Sequence, residues 1–487
     1  MFTELTYNDF IKLTDQKDRI DFIFGAIDRY KGSNFVRKAI EAEKYFKAEN
    51  VTINKRPKWK MTKTGKEMTF SKNIMVSDFF YRFILQQNQF LLANGVQLKN
   101  LDEKDKLGFG FDKILETLGE KSLIHGVSWG FWNNDRLIDF PAIQDEGNKG
   151  FFTLVDEMTG QNMIGVRFWQ IADNKPMYVE VYDENGFTTY SREPKENRVD
   201  LVIAHQSYKR VVQKDKLGEI LLREEDYGML PIVPLYANEY KRSEFKDSLK
   251  TKIDMYDKIA SDFGDNLERT NDIYWVISNF GGTSEEIKEM LAEIEEVRAT
   301  YTVADGLGNS SAEPHTIEVP YEARQTALKI LEKQLYSDFM ALNMEQLTGI
   351  SLTNVAIRTA TANLELKANK YEWQLFQFMQ KILALAGIYT EDIKFKRQYI
   401  ANESETMKML VMCKDDLTHR KRLEINPLIE PDEVDIILAE FEEEKRIAEE
   451  KAEKIRQEEI ATALKSNNDI KQEQKDRDDP SSAEGGL

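Results

Sequence analysis

Near the start of the chain, Phe10, Leu13, Ile20, Phe22, Ile23, Ile27 and Tyr30 recur at three- and four-residue steps. That spacing predicts helix over residues 1 to 50, interrupted at Gly32-Ser33 and resumed over 35–46. The same period returns at Ile74, Val76, Phe79, Phe80, Phe83, Ile84 and Leu91, so a helix is expected over 73–93, and another over 112–126. Between residues 127 and 236 the pattern changes to short β-branched and aromatic runs, such as Met177-Tyr-Val-Glu-Val-Tyr182, separated by Asn, Asp and Gly turns. This is read as a β-rich insert, with Asp183-Glu-Asn-Gly186 as a hairpin turn.

Pro231 and Pro234 force an extended segment over 228–239, after which a long helix is expected. Phe245, Leu249, Ile253, Tyr256, Ile259, Ala260, Phe263 and Leu267 form its narrow apolar stripe. Lys246, Asp247, Lys250, Asp254, Asp257, Lys258 and Asp262 are assigned to the other faces. So narrow a stripe buries one seam only, which calls for a hairpin partner or neighbours in an assembly. Residues 273–277 read as a strand, and Thr283-Ser-Glu-Glu286 as a capping box opening a helix with Ile287, Met290, Leu291, Ile294 and Val297 on one face. Strands are expected at 301–304 and 316–319, around the glycine-rich loop Asp305-Gly-Leu-Gly-Asn-Ser-Ser311. A returning helix is expected over 321–346, with Leu328, Leu331, Leu335, Phe339 and Leu342 as its stripe, then a kink at Thr348-Gly349 and a further helix over 354–386. The last hundred residues read as helical and increasingly charged, and 466–487, almost without apolar side chains, as disordered. The fold class is therefore α+β, mainly helical.

Chemistry narrows the choice mostly by exclusion. No apolar run among the 487 residues approaches the roughly 20 needed to span a bilayer, so no membrane contact is expected. Met1-Phe-Thr-Glu-Leu-Thr-Tyr7 has no basic segment followed by an apolar one, and a protein made and kept in a cytoplasm is expected. A single cysteine, Cys413, and four dispersed histidines, His125, His205, His315 and His419, suggest neither a disulfide nor a metal site. A net charge of −18 weighs against a protein that grips nucleic acid, and does not exclude one that lets DNA slide past. One stretch runs against that trend: over 55–66 Trp59 sits among Lys and Arg, which reads either as an exposed loop or hairpin or as a nucleic-acid patch. Thr64-Gly65-Lys66 lacks the earlier glycine of a phosphate loop and is followed by Glu67, and Asp305-Gly-Leu-Gly-Asn309 lacks the later acid of a calcium loop. No catalytic residue, metal or cofactor is expected.

Motif order carries the positive signal. Pro231-Ile-Val-Pro-Leu-Tyr-Ala-Asn238 is followed by Ser243-Glu-Phe-Lys-Asp, by Asp254-Met-Tyr-Asp257, and by Ser261-Asp-Phe-Gly-Asp-Asn-Leu-Glu268. Later come Leu347-Thr-Gly-Ile-Ser-Leu-Thr-Asn-Val-Ala-Ile-Arg358 and then Lys367 and Lys370. This series resembles portal proteins of long-tailed bacteriophages of Gram-positive bacteria. Where that family usually has Ser-Gly before Ala-Leu-Lys, this chain has Thr353-Asn354 before Val355-Ala-Ile-Arg358.

The resemblance implies a homo-dodecameric ring at one capsid vertex, through which double-stranded DNA passes without sequence specificity in packaging and ejection. It implies a wing over 1–240, a stem over 241–270 and 321–346, an α/β clip over 271–320, a tunnel loop over 347–355, a helix behind it over 356–388 and a helical crown over 389–465. Thr348, Gly349, Ile350, Ser351, Leu352, Thr353 and Asn354 would form the tunnel loop, and Glu285, Glu286 and Glu289 the clip surface that docks partners. Those partners would be the terminase large subunit, the scaffold and major capsid protein, and the head-completion or adaptor proteins. The implied location is the virion, after assembly in the host bacterial cytoplasm. An acidic helical scaffold or adaptor without a DNA channel is the other reading of the same composition.

Overall fold

The computed structural model describes residues 5–54, 57–62, 65–70, 73–98, 101–194, 198–215, 218–270, 273–278, 283, 285–286, 289, 311–316, 321–347, 353–390, 392–398, 403–413, 416–426, 428–429 and 433–477. Residues 1–348 with 360–399 make one compact unit, and 349–359 with 400–487 a second.

The first unit opens with α1 (Tyr7–Ile11), α2 (Gln16–Gly32) and α3 (Asn34–Phe46). Ser33 separates the last two: its backbone is extended and its hydroxyl accepts the Val36 N–H, which starts a new helix. After α4 (Val51–Asn54), β1 (Pro57–Thr62) and β2 (Gly65–Phe70) pair as an antiparallel ribbon. The helix expected over 73–93 is shorter: α5 spans Phe79–Leu92, and 73–78 is not helical. The reason lies far along the chain. Met75 donates its N–H to Ser261 Oγ at 2.9 Å and Ser77 its N–H to Asp257 Oδ1 at 3.0 Å, so these backbone donors are drawn to side chains of another helix.

β3 (Val96–Leu98) and α6 (Leu101–Asp105) lead into α7 (Phe111–His125). Gly126 ends α7 at φ +97°, where an added Cβ would lie 2.8 Å from the Arg242 and Ser243 backbone, so both conformation and space require glycine. The β-rich insert follows. β4 (Val127–Asn133) and β5 (Arg136–Pro141) form a hairpin, and β6 (Ile143–Gln144), β7 (Lys149–Val155), β8 (Asn162–Gln170), β9 (Met177–Tyr182), β10 (Phe187–Arg192) and β11 (Val199–Gln206) form a six-stranded antiparallel meander. The turn read at Asp183 joins β9 to β10: Tyr182 pairs with Phe187, and Asp183 Oδ1 accepts the N–H groups of Asn185 and Gly186. β12 (Lys209–Asp215) and β13 (Gly218–Glu225) make a separate hairpin, and β14 (Ile232–Tyr236) returns to pair with β4.

Among the described residues three apolar bodies organise this unit, one of them around Trp129, Phe131, Phe140 and Phe151. Ile23, Ile27, Tyr30 and Val36 of α2 and α3 are buried against Phe152, Val166, Phe168 and Val179 of the meander. The largest body gathers Phe83, Ile84, Leu115, Leu118, Trp132 and Leu235 with Leu375, Phe378 and Ile382 from a distant helix.

The rest of the chain comprises α8 (Asp247–Thr270), β15 (Ile273–Ser278), β16 (Ser311–Thr316), α9 (Tyr321–Phe339), α10 (Asn354–Leu385) and β17 (Ile393–Phe395), which pairs with β3. β15 pairs antiparallel with β16 over 311–316, a strand that includes Thr316, the first residue of the one expected at 316–319. The strand expected at 301–304, the loop over 305–310 and residues 317–319 lie outside the described residues. In the second unit are α11 (Glu403–Met412), α12 (His419–Ile425) and α13 (Val434–Arg477), whose residues 439–464 are exposed throughout. Helix thus continues through 466–477, in the stretch expected to be disordered, and 478–487 lie outside the described residues.

Two glycines separate conformational need from tolerance. Gly25, inside α2, has open space where a Cβ would stand, so Gly25→Ala is expected to raise the unfolding free energy by about 0.5–1 kcal/mol, whereas Gly126→Ala lowers it by about 1–3 kcal/mol. Urea midpoints that moved in the same direction for both would refute the close approach at Gly126.

Candidate functional site

α8 and α9 form the two limbs of a hairpin. Lys252 is paired with Asp338, while eleven residues further along α8 Phe263 meets Tyr321 edge-on at 5.6 Å and Arg324 donates to the Asp262 carbonyl at 3.1 Å. Numbers rise along one limb as they fall along the other, so the limbs are antiparallel, and β15 and β16 lie in the connection between them.

Leu249 and Ile253 bury the expected seam of α8, but a second buried face is polar. Asp254, Asp257 and Ser261 are spaced three and four apart and share that face. The Tyr45 hydroxyl donates to Asp254 Oδ1 at 2.5 Å, and the Asn50 amide to Asp257 Oδ2 at 2.5 Å. Only 1 % of Asp257 is exposed, and burial outweighs its hydrogen bonds from Ser77 and Asn50, holding the carboxyl above its ordinary pKa. Two of the acids assigned to outer faces, Asp254 and Asp257, are therefore anchors. The signal was their three-residue step followed four residues later by a serine.

Where the limbs end, side chains replace helical turns. Ser243, just before α8, donates to the Ile124 carbonyl at 2.5 Å and accepts the Phe245 N–H at 2.9 Å, and Phe245 packs between Tyr45 and Phe80. α9 stops at Phe339, short of the expected 346. Met340 takes φ +62°, Ala341 N–H reaches the Tyr336 carbonyl and Met340 N–H that of Ser337, a Schellman ending with methionine where glycine is usual. Gln86 of α5 then brackets Leu342, accepting its N–H at 2.8 Å and donating to its carbonyl at 3.1 Å, which carries the chain off the helix axis into a single 3-10 turn, Met344–Leu347.

Lys367 of α10 ties these ends together. Its ammonium lies 3.1 Å from Glu244 Oε2, donates to the Phe339 carbonyl at 3.1 Å and sits over the Phe339 ring. Burial lowers the Lys367 pKa to about 8, with Glu244 offsetting part of the shift. Burial raises Glu244, but Lys367 and the Asn238 amide outweigh it and leave that carboxyl below its ordinary value.

Of the expected tunnel-loop residues, Thr348, Gly349, Ile350, Ser351 and Leu352 lie outside the described residues. Thr353 is exposed and caps α10, its hydroxyl accepting the Ala356 N–H at 3.2 Å. Asn354 is half-buried, donating its N–H to Glu405 Oε2 at 2.6 Å and its amide to Thr406 Oγ1 at 3.2 Å. Glu285, Glu286 and Glu289 are exposed. Glu286 also accepts the Thr283 N–H at 2.7 Å, the backbone half of the expected capping box.

Among the described residues no group of His, Cys, Asp and Glu is placed to hold a metal ion, and no helix is long and apolar enough to cross a membrane. What the geometry presents is a jointed helical scaffold. The family described as "Phage portal protein, SPP1 Gp6-like" matches residues 27–457, and the chain belongs to it. That family is structural and not enzymatic. The chain is 29% identical over 181 residues to the portal protein of Clostridium phage phiCD119, an alignment covering 36% of this chain and 39% of that relative. It is 28% identical over 239 residues to the portal protein of Bacillus phage SPP1, covering 45% of each. The alignments thus span less than half the length of either curated relative.

Lys367→Met is expected to destabilise the chain by about 3–5 kcal/mol, because Glu244 stays buried without its cation. The double variant Lys367→Met/Glu244→Gln should recover at least half of that loss in denaturant titrations. A double variant showing the full sum of the two single losses would mean that the pair is not coupled.

Proposed function

We propose that this chain assembles into a ring of twelve subunits at one capsid vertex and is the channel for double-stranded DNA in packaging and ejection. The observation that carries the reading is the family match over residues 27–457, and the antiparallel limbs α8 and α9 suit a stem. In this reading 1–240 is the wing, 241–270 and 321–346 the stem, 271–320 the clip, 347–355 the tunnel loop, 356–388 the helix behind it and 389–465 the crown. The loop residues 348–354 touch the duplex without reading bases. A net charge of −18 repels phosphates, which lets DNA pass without sticking. Glu285, Glu286 and Glu289 face the terminase large subunit first and the head-completion proteins later, while scaffold and major capsid protein surround the ring. The ring is built in the host cytoplasm and remains in the virion.

Native mass spectrometry with negative-stain imaging is expected to show closed rings with a central hole. A monomer or dimer, both alone and with scaffold and capsid protein present, would transfer the reading to an acidic adaptor without a channel. Reversing Glu285, Glu286 and Glu289 to Lys is expected to leave the ring intact and to reduce motor-driven packaging by about tenfold or more. Undiminished packaging by that variant would remove these residues from the docking surface.

A further inference from the structure

The segment read above as the tunnel loop is held at its two ends by different units. On entry, Gln86 of α5 brackets Leu342 at 2.8 Å and 3.1 Å before the 3-10 turn Met344–Leu347, all within residues 1–348 of the first unit. On exit, Thr353, Asn354 and the first turns of α10, up to residue 359, group with residues 400–487. The remainder of that helix belongs to the first unit, so one continuous helix starts in one unit and continues in the other.

The start of α10 is tied to the second unit by the first turn of α11. Glu405 Oε2 accepts the Asn354 N–H at 2.6 Å, and the Asn354 amide donates to Thr406 Oγ1 at 3.2 Å. All three residues are half-buried, while Thr353 and Val355 on either side of Asn354 are exposed. A carboxylate that accepts a backbone N–H at a helix start makes a charge-assisted bond, stronger than a neutral one, to a donor without a partner inside the helix. The helix therefore begins with two caps. The Thr353 hydroxyl, which accepts the Ala356 N–H, is local and forms wherever a threonine precedes a helix. The Glu405 cap exists only while α11 stands beside the end of the loop.

Resting on the portal reading above, we propose that Glu405 and Thr406 are positioning residues for the DNA channel: from the second unit they fix Asn354, and so set where the exit end of the loop stands against the passing duplex. Neither touches DNA. They act through Asn354, whose backbone and side chain are both held, so the residue is fixed in position and in orientation. Gln86 holds the entry end from the first unit, which leaves the exit end as the one that α11 sets.

The test uses the full chain with Cys413→Ser and a spin label on Val355→Cys, a position 72 % exposed. Label mobility is read by electron paramagnetic resonance, ring yield by native mass spectrometry, and packaging in a motor-driven assay on the same preparations. Glu405→Ala is expected to raise the mobile fraction about tenfold or more, the effect of losing one charge-assisted hydrogen bond, and to lower packaging while ring yield holds. Glu405→Gln, which keeps an acceptor oxygen, is expected to restore most of both. Should Glu405→Ala melt early by circular dichroism, Thr406→Val leaves the carboxylate in place and asks the same question with a smaller rise. Unchanged mobility in the folded variants overturns the positioning role and leaves the portal reading standing. Slower packaging at unchanged mobility would make Glu405 a charge that keeps phosphates off the start of α10, and overturns the positioning role equally. So does raised mobility with undiminished packaging. A wild type that neither forms rings nor packages DNA ends the channel reading, and this role with it.

Discussion

One ammonium group, that of Lys367, stands where three distant segments meet. It binds the carboxylate that precedes α8, the last carbonyl of α9 and the face of Phe339, from a position halfway along α10. Two buried charges seldom stabilise a fold more than a well-packed apolar pair, because desolvation cancels most of their attraction. Their value here is registry. An apolar contact tolerates sliding by part of a turn, but a buried ammonium has one place where its partners are satisfied. The start of one limb, the end of the other and the helix after the loop are therefore held in one relation.

The same logic governs α8. Its apolar seam is too narrow to fasten a helix of 24 residues, and the shortfall is met by hydrogen bonds that Asp254, Asp257 and Ser261 accept from Tyr45 of α3, from Asn50 and from the strip before α5. These acceptors leave Met75 and Ser77 no reason to form a helical turn of their own. Asp257 keeps its place although burial disfavours its charge, because each of its two oxygens accepts a hydrogen bond, one from the Asn50 amide and one from the Ser77 N–H.

Much of this was legible along the chain. Periodicity located α3, α7 and α10 to within a residue or two and the end of α2 at Gly32, though not the break between α1 and α2, and Asp183-Glu-Asn-Gly186 marked its turn, since these depend on neighbours a few residues apart. Two of the readings that failed share a cause. The strip at 73–78 and the end of α9 were settled by Ser261 and by Gln86, each far away in sequence. In the site, the Thr283 and Glu286 contact could be read from a four-residue box, whereas the hold of Glu405 on Asn354 could not.

By itself the sequence determined the class of protein: the order of its motifs, an acidic composition and long helices with one apolar seam lead to the portal family, which the match over 27–457 established. It also determined where most helices and the Asp183-Glu-Asn-Gly186 hairpin lie, because those choices rest on spacing and turn chemistry. Tertiary structure alone decided which acids of α8 were buried and where α9 ended. Each of those depends on a hydrogen-bond partner, and none is in place until distant parts of the chain have met.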